Sequence, residues 1–204
     1  MNDCIGVILA GGLARRMGGG DKPLVEIGGR PILQHVIDRL KPQCGSLAIN
    51  ANGDPARFAR FGLPVVADSV DGFAGPLAGV LAGMDFGAAR GATHVLTAPG
   101  DTPFLPADLL SRLEAARRRT DAAIAVAASD ARAHHAVALW PVAMREDLRR
   151  ALVDEGERRV SAFIGRFANV VVEWPVEPYD PFFNVNKPVD LARAVAIAKA
   201  ESRS

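Results

Sequence analysis

Apolar and polar positions fall into blocks along this chain, and the period of the pattern changes from block to block. Residues 5–10 form a continuous apolar run, as in a strand covered on both faces of a parallel sheet. Pro31 then opens a stretch in which Ile32, Leu33, Val36, Ile37 and Leu40 share one helical face. Residues 47–49 and 65–67 predict short strands that end at Asn50 and Asp68. Residues 76–86 read as a helix through Leu77, Val80, Leu81 and Met84, and residues 94–98 as a strand leading into Pro99-Gly100-Asp101. Leu109, Leu110 and Leu113 place a helix after Pro106. Beyond it, strands are expected at 122–128, 136–140 and 170–174, and helices at 144–153 and about 159–167, with a closing helix from Val189.

Strand and helix alternate as in repeated βαβ units. The expected class is therefore α/β: a single-domain, three-layer α/β/α arrangement with a mainly parallel sheet and helices on both faces. Ligands of such sheets bind beyond the carboxyl ends of the strands. The glycine-rich stretch after the first strand, Asn50, Asp68 and Asp101 each follow a predicted strand end, so topology alone gathers them along one edge. No internal repeat or low-complexity linker interrupts the 204 residues.

Composition narrows the partners. A net charge of +1 argues against a nucleic-acid-coating surface or a polybasic membrane anchor, so anion binding has to come from local placement of charge. Apolar residues make up 49% of the chain, much of it alanine, yet no apolar stretch approaches the roughly twenty residues needed to cross a bilayer. The start of the chain enters the first strand without a basic leader, and the expectation is a cytoplasmic monomer. Cys4 and Cys44, the only two cysteines, have neither metal-site nor disulfide-framework spacing; Cys4 is expected in the core. Arg117-Arg118-Arg119 suits the solvated end of a helix, where cations meet the negative end of the dipole.

Residues 9–23, Leu-Ala-Gly-Gly-Leu-Ala-Arg-Arg-Met-Gly-Gly-Gly-Asp-Lys-Pro, carry the clearest chemistry. Glycines allow backbone N–H groups to curl around an anion, and Arg15, Arg16 and Lys22 add full charges that reach phosphate oxygens. A P-loop is excluded because Pro23, not a hydroxyl residue, follows Lys22; no register fits G-x-G-x-x-G either. A polyphosphate loop is the favoured reading over a flexible turn with incidental arginines. Asp101 suits a Mg2+ ligand or, equally on its own, the start of an Asx-turn before Pro103. Asn184 and Asn186 alternate along an extended segment, offering paired amides, although asparagine is also common in turns before proline.

L-A-G-G-x-x-x-R-M-G followed by Asp-Lys resembles the signature of nucleotidyltransferases, and within them the molybdenum cofactor guanylyltransferase family. Further matches run in order along nearly the whole chain: Asn50-Ala51-Asn52, Asp68-Ser69, Gly75-Pro76-Leu77-Ala78-Gly79, Asp101-Thr102-Pro103, Gly156-Glu157-Arg158-Arg159 and Phe183-Asn184-Val185-Asn186. The resemblance implies a Rossmann-like nucleotidyltransferase fold and transfer of GMP from GTP to molybdopterin, or molybdenum-molybdopterin, with release of pyrophosphate. It implies nucleotide contacts at Leu9, Ala10, Gly11, Lys22, Asn50, Asp68 and Asp101, with Gly12 beside them; Gly75 and Gly79 are expected to let backbone approach the base or ribose, or else to serve turn and helix packing. Asp101 is expected to hold Mg2+, with Lys22 and Arg16 offsetting charge on the triphosphate. Asn184, Asn186 and Arg158 are expected on the acceptor side. The nucleotide half is placed at about 1–120 and the acceptor half at about 121–204, with molybdenum cofactor biosynthesis and acceptor proteins as possible partners.

Two departures stand out. Lys187 occupies a position where the family often has threonine, and His134-His135 stands where it tends to have His-Pro. His134 is an acceptor-side candidate or a satisfied loop histidine. A cytidylyltransferase or a sugar-1-phosphate nucleotidyltransferase is the nearest alternative activity. A non-catalytic nucleotide- or pterin-binding module is the more distant one.

Overall fold

The computed structural model describes residues 3–11, 24–70, 72 and 75–201. Its elements in chain order are β1 (Cys4–Leu9), β2 (Glu26–Ile27), β3 (Arg30–Pro31), α1 (Ile32–Leu40), β4 (Ser46–Asn50), β5 (Val65–Val66), α2 (Pro76–Ala88), β6 (His94–Pro99) and α3 (Leu109–Thr120). They continue with β7 (Ile124–Ser129), β8 (Arg132–Pro141), α4 (Arg145–Val153), α5 (Val160–Ile164), β9 (Asn169–Trp174) and α6 (Pro188–Glu201). Seven strands form one sheet in the order β5-β4-β1-β6-β8-β7-β9. Neighbours run parallel except at β8, which is antiparallel to both β6 and β7. The sheet is thus mainly parallel, as the βαβ pattern predicts.

The period-2 alternation of the strands sorts their side chains into two cores. Cys4 and Ile8 of β1, Leu96 and Ala98 of β6, and Ala125 and Ala127 of β7 meet the apolar faces of α1 and α3. On the other face, Ile124 and Val126 of β7 and Trp140 of β8 meet α2, α4 and α5. Each fully buried Leu, Ile or Phe adds about 1.5–3 kcal/mol to these layers. Cys4 and Cys44 are both buried in the first core; the hydrogen bond between their thiols, together with burial, pushes the Cys4 thiol far up.

α2 is apolar almost all round and packs closely on β1. A Cβ on Gly83 would come within 2.9 Å of the Val7 side chain, and one on Gly79 within 2.9 Å of Leu9. Small residues one turn apart therefore let the helix axis approach the sheet. A polar seam fixes β8 against β6: the buried Thr97 hydroxyl donates to the Ala136 carbonyl at 2.9 Å and accepts from Trp140 Nε1 at 2.9 Å. Arg117, Arg118 and Arg119 lie in the last turn of α3, whose cap Asp121 is left-handed; Arg118 and Arg119 are exposed as expected, whereas Arg117 is half-buried.

Several features differ from the pattern-based expectation; the strand expected at 136–140 starts at Arg132, which puts His134 inside β8 rather than in a loop. A two-residue hairpin, β2–β3, turns through Gly28 and Gly29, both at positive φ, and was too short to show a period. Its Ile27 packs with Phe104, Val185 and Ala194 of α6, tying the closing helix to the front of the chain. The helix expected at about 159–167 spans only Val160–Ile164, ending at Gly165. The β7–β8 hairpin contains a β-bulge: Val126 faces Ala138, but the next residue, Ala127, faces His134.

Candidate active site

Register brings the ends of β4, β1 and β6 side by side. Leu9 lies between Asn50 and Pro99, and the ladder runs one step further through Ala10 N to Asn50 O at 2.8 Å and Gly100 N to Leu9 O at 2.9 Å. Leu9, Ala10, Gly11, Asn50 and Asp101 therefore share the carboxyl edge of the sheet. Gly12, Arg15, Arg16 and Lys22 lie outside the described residues.

Asn50 and Asp68 meet there. Asn50, buried, donates through Nδ2 to Asp68 Oδ1 at 2.9 Å and to Val66 O at 3.1 Å. Asn52 donates to Asp68 Oδ2 at 2.7 Å, and its own Oδ1 accepts from the Asp68 backbone N at 2.9 Å. Both carboxylate oxygens are thus held by amides, a charge-assisted arrangement that fixes the Asp68 side chain. Gly79 makes room for the Asn50 amide: a Cβ at that position would sit 2.3 Å from Asn50 Oδ1. Gly75 caps the start of α2 at φ 138°, a backbone state that side-chain-bearing residues rarely adopt.

Asp101 sits two residues beyond β6, half-buried. Its Oδ1 accepts from Asn184 Nδ2 at 2.8 Å, and its carbonyl accepts from Val185 N at 3.0 Å. The segment before α6 is thereby strapped onto the end of β6. Next to Asp101, the buried Thr102 hydroxyl has no hydrogen-bond partner among the described residues.

The donor set suits a hard divalent cation. Mg2+ commonly takes one or two carboxylates and completes its shell with phosphate oxygens and water. Asp101 offers an anchored carboxylate, and the adjacent orphan hydroxyl leaves unspent oxygen donor capacity at the same turn. Among the described residues, no three His, Cys, Asp or Glu side chains cluster as an all-protein metal cage.

The acceptor-side candidates separate. Asn184 lies on Asp101, whereas Asn186 is exposed where Asp190 Oδ2 accepts from the backbone N of Asn186 and of Lys187, at 2.9 and 2.8 Å. Arg158 lies between α4 and α5, its guanidinium donating to the carbonyls of Leu152 and Glu157, both at 3.1 Å. The Glu157 carboxylate accepts from the backbone N of Arg158 and Arg159, which holds its carboxyl below the usual range.

Three residues given no role in the sequence reading join the edge: Asn52, quoted there only as part of a motif, through Asp68, and Ser129 and Asp180, near the strap. Ser129 Oγ donates to Asp180 Oδ1 at 2.8 Å and lies 2.7 Å from His134 Nε2. Asn52 had a legible signal, alternation with Asn50, while Ser129 and Asp180 are brought together only by tertiary folding.

The mainly parallel sheet with polar residues gathered along its carboxyl edge is the fold of a nucleotidyltransferase, and this chain is such an enzyme. It belongs to the MobA-like NTP transferase family, whose domain matches residues 6–169, in the branch of molybdenum cofactor guanylyltransferases. The protein of that name from Rhodopseudomonas palustris strain BisB5 is 61% identical over 199 residues, covering 97% of this chain and 95% of the relative. The one from Bradyrhizobium sp. strain ORS 278 is 56% identical over 200 residues, covering 97% and 94%. In fold, the chain is similar to the molybdopterin-guanine dinucleotide biosynthesis protein A of Archaeoglobus fulgidus, with a TM-score of 0.74 at 24% identity over 97% of this chain and 99% of that one. No helix among the described residues is long and apolar enough to cross a membrane.

Proposed function

We propose that this enzyme transfers GMP from GTP to molybdopterin, with or without bound molybdenum, and releases pyrophosphate. The observation that carries the reading is the Asp101 carboxylate, set at the end of β6 and held by Asn184. The nucleophile is the terminal phosphate of the acceptor, already largely ionised at neutral pH, so no general base is required. The barrier lies in bringing anions together and stabilising charge on the departing pyrophosphate.

Each residue has a task in this reading. Asp101 holds Mg2+, which supplies positive charge to the triphosphate. Arg16 and Lys22, with the backbone of Leu9, Ala10, Gly11 and Gly12, offset further phosphate charge. Asn50 and Asp68 form a fixed polar wall for the nucleoside, and Gly75 and Gly79 keep α2 out of its way. Asn186 and Arg158, from the half of the chain beyond about residue 120, take the pterin acceptor, while Asn184 spans the two halves.

The test is product analysis. Purified protein, MgGTP and molybdopterin should give the guanine dinucleotide and pyrophosphate in equal amounts. Preference for CTP over GTP, or for a sugar phosphate over the pterin, would overturn the reading.

A further inference from the structure

Ser129, His134 and Asp180 form a hydrogen-bonded chain that the proposed reaction leaves unused. Its order rules out a nucleophilic triad. Ser129 is 1% exposed, and its hydroxyl proton goes to Asp180 Oδ1 at 2.8 Å, so its oxygen accepts from His134 Nε2 at 2.7 Å. A serine in the middle, buried and with its proton committed, cannot attack a substrate.

What the chain does touch is the strap. Asp180 Oδ1 also accepts from Phe182 N at 2.9 Å. Phe182 is buried between the His134 ring, 4.8 Å away centre to centre, and the Trp174 ring, 5.5 Å away and edge-on. Two residues on, Asn184 reaches Asp101. The segment 180–185 is therefore pinned at both ends, to β7 and β8 through Ser129 and His134, and to the end of β6 through Asp101.

The β-bulge makes this possible. His134 and Ala138 are four apart on β8 and would share a face of a regular strand, yet Ala138 faces Val126 and His134 faces Ala127, on opposite sides of the sheet. The bulge turns His134 toward the layer that holds Trp174 and Phe182.

We propose that Ser129, His134 and Asp180 are positioning residues that set where Asn184 lies, and through it the orientation of the Asp101 carboxylate. The catalytic consequence rests on the guanylyl-transfer reading above. A misplacement of about 1 Å at a reacting group costs up to a hundredfold in rate, so the brace acts on turnover rather than on nucleotide affinity.

The test reads Asn184 directly, in protein without substrate. Its side-chain amide protons are assigned by NMR through their loss in Asn184→Ala. Ser129→Ala and Asp180→Ala should shift those resonances, while Asp180→Asn, which keeps an oxygen acceptor for Ser129 and Phe182 N, should restore them. In kinetics, the first two variants should lose tenfold or more in kcat with KM for GTP unchanged, and Asp180→Asn should recover most of the loss. Unshifted Asn184 resonances in Ser129→Ala, or shifted resonances with unchanged kcat, would overturn the proposal. If the wild-type enzyme transferred no GMP, the guanylyl reading would fail alone, and the resonances would still decide the brace.

Discussion

Asn184 and Asp101 stand 83 positions apart, yet the Asn184 amide donates to the Asp101 carboxylate at 2.8 Å. The backbone repeats the link one residue on, where Val185 N donates to the Asp101 carbonyl at 3.0 Å. A paired side-chain and main-chain contact fixes both the position and the rotation of the carboxylate. The segment expected to serve the acceptor thus holds the residue expected to serve the metal.

Asp101→Asn should leave the fold intact, because an amide oxygen still accepts from Asn184, but removes the negative charge. Pyrophosphate release should fall at least about a hundredfold, the scale seen when an electrostatic stabiliser is lost from an active site. Thermal unfolding within a few degrees of wild type, alongside the kinetic loss, checks the assignment.

Asn186→Ala and Asn184→Ala should differ in kind. Asn186 is exposed, and losing a hydrogen bond to a charged acceptor group costs about 1.5–3 kcal/mol, so KM for the pterin should rise tenfold or more with GTP binding unchanged. Asn184→Ala removes one hydrogen bond from the Asp101 carboxylate and should act on kcat. Calorimetry with GTP and initial rates against the pterin separate the two; weaker GTP binding in Asn186→Ala would place that residue on the nucleotide side instead.

Gly79→Ala should disturb nucleotide binding from a distance. The new methyl would lie 2.3 Å from Asn50 Oδ1, so either α2 or the Asn50–Asp68 pair must move. Overpacking of this kind costs about 1–3 kcal/mol. A lowered melting temperature together with weaker GTP binding is expected; lost stability with full GTP affinity would separate Asn50 from the nucleotide.

The pH dependence of stability should carry a His134 component. Burial lowers its pKa below 6.5; Asp180 and Glu173 oppose that shift, while Arg132 and His135 reinforce it. Below 6.5 the unfolded chain takes up the proton before the folded one does. The contribution is therefore complete above pH 6.5 and is lost as pH falls toward the folded pKa. His94 is lowered too, by burial and Arg117, with the same sign. Melting curves between pH 5 and 7 should be flatter in His134→Gln than in wild type; equal slopes would contradict this.

The sheet was legible because its strands are short apolar runs punctuated by polar residues at their carboxyl ends. Asn50 ends β4, and Asp68 and Asp101 follow β5 and β6, so the topology rule for parallel sheets places them on one edge before any contact is known. The hairpin β2–β3 was not legible, since two residues per strand show no period. Neither was the role of His134: counting by twos puts it on the face of Ala138, and the bulge reverses that. Alternation put Asn184 and Asn186 on a common side but could not show that the first is already engaged by a residue far away in sequence.

The one reversed strand has a consequence for how such an enzyme can change. Every neighbour of β8 brings its finish to the working rim, but β8 brings its start there, joined to β7 by the two-residue turn Asp130-Ala131. Lengthening or replacing that turn would remodel the far end of the rim without touching β1, β4, β5 or β6. On the proposed reading, such a change would alter the acceptor side while conserving the grip on the nucleotide.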